Sequence, residues 1–345
     1  MKIQIISLFI LVLASETFAQ VSNNFQLYLN FIRDFGATYN DSAELLKRFE
    51  IFKQNVLNHG VNETISDEDE LVEGVTKFSD LTEEEFAKKY LTLKDADVPS
   101  DAEIFKNEDT VQSAETNSTE EGRNLQTTTV PSSWDWRTQG AVTSVKSQGS
   151  CGSCWAFATV ANIESLYYRK YKKLVSFSEQ QLVDCDYNNN GCNGGNMPTA
   201  FNYVRRVGGL VTRSNYPYGG RKGTCKFRSS LAVAKISKYI VPGTKDETTI
   251  RNMLYKTGPL AVAINASKLQ FYRSGIISAS SSSCSPNNLN HAVTIVGYGT
   301  SSNGVKYWIV KNSWGSNWGE SGYFRIQMGQ GTCGINNVVV SGVIQ

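Results

Sequence analysis

Three side chains in this 345-residue sequence could together make and break a covalent bond: Cys154, His291 and Asn312. Cys154 stands where a glycine- and serine-rich turn gives way to an apolar run, Trp155, Ala156, Phe157, Ala158, Val160, Ala161 and Ile163. The run is too continuous for a surface helix and predicts a buried one with Cys154 in its first turn. The free N–H groups and dipole of a helix start favour an anion, and a neighbouring imidazolium adds to the effect. The thiol is therefore expected to ionise easily and to act as a nucleophile. A thiolate of this kind needs a base or ion-pair partner, itself oriented by a third group. The chain has two histidines, His59 and His291, and only His291 follows Cys154.

His291 opens the strand-like stretch HAVTIVGYG and Asn312 closes VKYWIVKN, with Thr300 to Asn303 as a turn between Gly299 and Gly304. If Gly299 faces Gly304, His291 falls directly opposite Asn312 on one face of the hairpin. The amide oxygen of Asn312 would then accept from one ring nitrogen and hold the other toward Cys154. A lone histidine is ordinarily a structural residue; this spacing argues for more.

The elements that must position these groups fall into blocks. Residues 1–19 read as a secretory signal peptide, with Lys2 before the apolar Ile3 to Leu13 and small residues near Ala19. No later stretch is long and apolar enough to cross a bilayer. Residues 20–129 carry 10 Lys and Arg against 23 Asp and Glu, a balance of −13, whereas residues 130–345 carry 23 against 8, a balance of +15. Opposite signs in one chain suggest that one part binds the other. Between 25 and 59, Phe25, Leu29, Ile32 and Phe35 share one helical face and Leu45, Phe49, Phe52 and Val56 another. From Leu91 to Thr129 the chain is acidic and poor in aromatics, a composition that predicts a mobile linker and a site of proteolysis. A mature protein would then begin near Val130.

Beyond the central helix, Ser178-Glu179-Gln180-Gln181 predicts a capping-box start, and Pro198 to Val207 a helix stopped by Gly208-Gly209. Arg169, Lys170, Lys172 and Lys173 suit a helix end and a solvated face rather than nucleic acid, since no aromatics interleave them. Leu260 to Ile264, Val293 to Val296 and Lys306 to Val310 read as strands. All seven cysteines lie between Cys151 and Cys333. In an exported chain six would pair and one would stay reactive, and six allow 15 pairings among which spacing cannot choose. Zinc is disfavoured because the C-x-x-C pair has no companion ligands at metal spacing.

Four stretches, QGSCGSCWAF, GCNGG, NHAVTIVGYG and KNSWG, together resemble the papain and cathepsin family of cysteine proteases, cathepsin L-like zymogens in particular. Glu44, Arg48, Ile51, Phe52 and Asn55 resemble the first part of that group's prosegment helix motif, with departures at His59 and Glu63; Gly74, Phe78 and Asp80 resemble its second motif, with Thr76 in place of asparagine. The resemblance implies an α+β, two-lobed papain-like fold, with a helical left lobe and an antiparallel β-barrel-like right lobe. A helical inhibitory prosegment would precede it, with no cofactor and no metal. It implies bridges Cys151 to Cys192, Cys185 to Cys225 and Cys284 to Cys333, with Cys154 free. Gln148 and the Cys154 backbone N–H would form an oxyanion hole. Trp314 would shield the His291–Asn312 bond from water. A pocket of Met197, Ala263, Leu289 and Val338 would select a bulky apolar side chain on the substrate, and Gly194 and Gly195 would bond an extended peptide.

The expected partners are protein and peptide substrates and the chain's own prosegment. The expected enzyme is a monomeric endopeptidase of the secretory pathway, in a lysosome, a vacuole or the medium. Asn40, Asn62, Asn117 and Asn265 are glycosylation candidates. Three rivals are weaker. A thiol–disulfide oxidoreductase using Cys151 and Cys154 leaves His291 and Asn312 unexplained, a non-catalytic binding protein leaves four filled positions idle, and an exopeptidase lacks an occluding insertion.

Overall fold

The computed structural model describes residues 18–60, 69–94, 98, 102–106, 129–280 and 284–345. Most of the expected signal peptide lies outside these residues, as do Glu63, Asn62 and Asn117. Three helices come first: α1 (Phe18–Phe35), α2 (Ser42–His59) and α3 (Glu83–Tyr90). Four follow in the body: α4 (Cys154–Tyr171), α5 (Glu179–Cys185), α6 (Met197–Val207) and α7 (Glu247–Thr257). The strands are β1 (Val72–Glu73), β2 (Glu103–Ile104), β3 (Trp134–Asp135), β4 (Ile236–Val241), β5 (Leu260–Ile264) and β6 (Tyr272–Ser274). They continue with β7 (Ile276–Ile277), β8 (His291–Thr300), β9 (Lys306–Lys311), β10 (Tyr323–Gln327) and β11 (Val339–Ile344).

Helices α1 and α2 cross over an aromatic core of Tyr28, Phe31, Phe49 and Phe52. The buried stripe of α1 is rotated from the expected one, since Tyr28 and Phe31 are buried and Leu29 is exposed. Ring contacts decide this, as Tyr28 packs on Phe49 and Phe52 at 5.4 and 5.2 Å. Asp41 caps α2 by accepting from Glu44, and Thr82 with Glu85 forms a capping box for α3. Arg48 grips Glu85 through both terminal nitrogens, at 2.5 and 3.2 Å, and Asn55 donates to the carbonyls of Ser79 and Leu81. The motif residues of α2 thus fold the following turn and α3 back onto it.

The body is built on two apolar clusters. One surrounds α4, α5 and α6; the other lies within the sheet and under α7. Twelve residues of α4 are buried, and the helix ends at Lys172 in the left-handed region. Helix α6 ends at Gly208 in that region as expected. Ser178 caps α5, but the reciprocal half of the expected capping box is absent, because the Gln181 side chain instead holds the backbone of Gly209 and Val211. The sheet runs β2-β4-β11-β5-β8-β9-β10-β7, with β3 on β8, and does not close into a barrel; β1 and β6 form a separate pair.

The β8–β9 hairpin differs from the straight register expected. Thr300 pairs with Lys306, and Ser301 to Val305 make a five-residue loop. In that register His291 and Asn312 would lie on opposite faces, because their offset is odd. A bulge between Ile295 and Gly297 shifts the pairing by one, so that Thr294 faces Lys311 and Ile295 faces Val310. The bulge returns His291 and Asn312 to one face as diagonal neighbours. The freed Val296 carbonyl accepts from Trp136 N–H at 3.0 Å.

Replacing Arg48 by Ala removes two charge-assisted bonds to Glu85 and should destabilise the amino-terminal unit by about 1–3 kcal/mol. Hydrogen exchange should show faster opening of α2 and α3 with the body unchanged.

Candidate active site

Cys154 is the first residue of α4, and the Ser153 side chain makes no capping bond, so the helix start faces the sulfur uncapped. The disulfide Cys151–Cys192 anchors the turn before it; Cys185–Cys225 and Cys284–Cys333 are the other bridges, and Cys154 is free. From the other lobe, β8 brings the Ala292 N–H to the sulfur, next to His291. His291 Nε2 bonds Asn312 Oδ1 at 2.9 Å, and that oxygen also accepts from Ser313 N–H at 2.8 Å. The Ser313 hydroxyl donates to Gln148 Oε1 at 2.7 Å, while Gln148 Nε2 donates to the Cys151 carbonyl at 2.9 Å. Ser313 thus links the His291 side of the groove to the turn carrying Gln148, a role with no signal in the sequence beyond its place in KNSWG.

Trp314, expected to shield the His291–Asn312 bond, lies against the imidazole: its ring stacks on His291 with centroids 4.7 Å apart, and its other ring contacts are Trp318 and the amino-terminal Phe78, Phe86 and Tyr90.

The groove over Cys154 is filled by the chain itself. Leu93 N–H donates to the Asn290 carbonyl and Lys94 N–H to the Gly195 carbonyl, both at 3.0 Å, and Leu93 bridges Gly195 in parallel. At Gly194, φ is +107° and a Cβ would lie 2.0 Å from the Thr92 carbonyl oxygen, so only glycine admits the segment. Leu93 is buried in the same apolar cluster as Met197, Ala263 and Val338, with Leu289 packed on its margin. The four residues expected to form a pocket thus belong to, or border, one apolar cluster. The linker composition gave no sign that residues 91–94 would be ordered.

Burial reverses the expected ionisation in this covered state. Removal from water pushes the Cys154 thiol up to about 11, against the N–H groups of Ala292, Trp155 and Thr92. The Thr92 hydroxyl lies near the sulfur but meets no partner at hydrogen-bond geometry. Burial also pushes His291 down to about 4, against its bond to Asn312 and the nearby Tyr90 carbonyl. Each group is held in its neutral form, and His291 Nδ1 meets no partner at hydrogen-bond geometry.

Beneath the groove lies a buried charge cluster that sequence reading missed. Lys146 bridges Glu164 and Glu179 at 2.5 and 2.6 Å, Arg213 reaches Glu179, and Lys311 donates to the Thr143 carbonyl at 2.7 Å. Its one sequence signal was Glu164, an acid inside the apolar run of α4. Among the glycosylation candidates, Asn40 is exposed. Asn265 is a correction: it is buried, and its amide nitrogen donates to the Ser285 carbonyl, which leaves no room for a glycan.

Residues 130–343 match the family described as papain family cysteine protease, and residues 28–86 match the cathepsin propeptide inhibitor domain. The chain belongs to the papain family of cysteine proteases. Relatives include cysteine proteinase 1 of Dictyostelium discoideum, 39% identical over 92% of each chain. Cysteine proteinase 15A of Pisum sativum is 41% identical over 90% of this chain and 84% of its own. Among solved structures, the digestive procathepsin L2 proteinase of Tenebrio molitor larval midgut aligns with a TM-score of 0.80 at 34% identity, covering 93% of this chain and 99% of the other. This papain-family protease therefore carries its own prosegment as inhibitor, and residues 91–94 show where the chain beyond the matched inhibitor domain goes. The redox rival fails on a different ground, since Cys151 is bonded to Cys192 and forms no pair with Cys154.

A thiol held near 11 is ionised in only about one molecule in ten thousand at pH 7, against a few per cent for an ordinary cysteine. Iodoacetamide should therefore label Cys154 in the intact chain on the order of a hundredfold more slowly than a free thiol. Labelling at the ordinary rate would show the cover to be open.

Proposed function

We propose that the chain is the zymogen of a cysteine endopeptidase, with residues 1–19 as signal peptide, 20–129 as prosegment and linker, and 130–345 as the mature enzyme. The observation that carries this reading is the segment 91–94, seated over Cys154 between Asn290 on one wall and Gly195 on the other. The three disulfides fit the oxidising compartments of the secretory pathway.

Once the groove is open, water and substrate replace the cover, and the Cys154 proton passes to His291. The thiolate attacks the scissile carbonyl carbon. The resulting oxyanion is held by the Cys154 backbone N–H and Gln148 Nε2, each donor worth about 3 kcal/mol. Collapse breaks the C–N bond, His291 gives its proton to the leaving amine, and a thioester remains. Water, deprotonated by His291, then attacks the thioester and restores the thiol. Asn312 keeps the imidazole aimed throughout. The segment 91–94 escapes cleavage because what Thr92 turns to the sulfur is its N–H and not a carbonyl carbon.

Acid favours opening, and the sign follows from Asp69; His291 adds nothing to it, because its proton in the open groove comes from Cys154 and none is taken from solvent. Burial tends to raise the Asp69 carboxyl, but Arg325 and Ser302 outweigh this and hold it below the usual range. Its pairing with Arg325 is present at neutral pH and lost as acid protonates it.

Processing should accelerate as pH falls from 7 to about 3.5, the range in which Asp69 takes up its proton, and Asp69→Asn should raise the rate at pH 7; equal rates at the two ends of that range would overturn the acid reading. Fluorogenic peptides with Leu or Phe two residues upstream of the cut should be turned over at least tenfold faster than those with Arg, because burying a charge in the Met197, Ala263, Leu289 and Val338 pocket is costly. Mass mapping of alkylated mature enzyme should find the label on Cys154 and the new terminus near Val130.

A further inference from the structure

Past the groove the chain pairs with the body a second time. Strand β2 lies parallel to β4, with Glu103 opposite Ile240 and Ile104 opposite Val241, and Phe105 N–H donates to the Val241 carbonyl at 2.7 Å. The Glu103 carboxylate meets the Lys238 ammonium. Ile104 lies over Gly243, where a Cβ would stand 2.6 Å from its Cγ2. Ala102 packs on the margin of the helical-lobe cluster and Phe105 on that of the β-lobe cluster. Strand β11 occupies the other side of β4, so without β2 the outer side of β4 would be the edge of the sheet. None of these contacts involves the groove residues.

We propose that the outer edge of β4 is a strand-docking site of the mature domain, separate from the catalytic groove, and that its occupant is this chain's own segment Ala102–Lys106. Its chemistry suits an extended peptide in which an acidic residue, set against Lys238, is followed by a branched aliphatic residue over Gly243 and an aromatic one. The proposal rests on the reading of the amino-terminal part as a prosegment removed by cleavage. A cut between Lys94 and Ala102 clears the groove while the piece from Ala102 onward stays paired to the enzyme. Bonds within 102–106 are shielded, since a protease needs an unpaired extended backbone.

The test uses the full-length Cys154→Ala chain, so that exchange is read without activity. The Phe105 amide should exchange at least tenfold more slowly than an unstructured amide. Lys238→Glu should speed that exchange about two- to fivefold, the range for a partly exposed ion pair, and adding Glu103→Lys should restore it. Under digestion by a broad-specificity protease, bonds in 102–106 should outlast the other bonds between 95 and 129, and Phe105→Pro should abolish the difference. Exchange at the unstructured rate, or no restoration by the charge swap, overturns the proposal. Absent peptide hydrolysis by the processed chain that keeps Cys154, with Phe105 still protected in Cys154→Ala, would instead overturn the protease reading alone.

Discussion

Removal of one sulfur and one imidazole from water is the interaction on which the rest of this structure depends. Cys154 and His291 are both fully buried, and an ion pair in that setting must recover a desolvation cost of several kcal/mol per ion. Under the cover it does not, and both groups stay neutral. The inhibitor therefore has no need to distort the site. It only has to keep the groove dry, and residues 90–94 do this with the Leu93 and Lys94 N–H groups bonded to Asn290 and Gly195, the Thr92 N–H turned to the sulfur and the Tyr90 carbonyl near His291.

What holds the cover in place is largely apolar. Trp314 stacks on His291 and meets Phe78, Phe86 and Tyr90 edge-on, so the residue that packs on the imidazole is also the seat of the prosegment. Thr76, standing where asparagine was expected, donates to the Gln270 carbonyl at 2.6 Å, and Gln270 returns bonds to Phe78 and Leu81. His59, another departure, stacks on Phe271 at 3.8 Å. The opposite net charges of the two parts meet at Asp69–Arg325 and Glu103–Lys238, on the rim of an interface whose centre is aromatic.

Much of this was legible from residue types. The helix behind Cys154 and the strands at 260–264 and 306–310 follow from periodicity, the α+β two-lobed architecture and the disulfide pattern from family resemblance, and the His291–Asn312 contact was expected from hairpin spacing. The hairpin register was not legible, because a bulge leaves no mark in composition; the contact was expected for a reason the structure replaces. The ionisation state was misjudged because a helix start was weighed without the chain that would cover it. Strand β2 was hidden within a stretch whose acidic composition argues for no structure, since three or four residues suffice to pair with an existing edge. Asn265 looked like a modification site because a tripeptide pattern carries no burial.

The distribution of sulfur has one more consequence. No cysteine precedes Cys151, so no cystine ties the inhibitor to the body. While the chain is whole, the inhibitor acts at an effective concentration in the millimolar range, set by its tether. A single cut turns it into a separate solute that obeys dilution. In a dilute compartment, recapture then loses to diffusion without any further change in contacts, and activation runs one way although every bond holding the cover is weak and reversible.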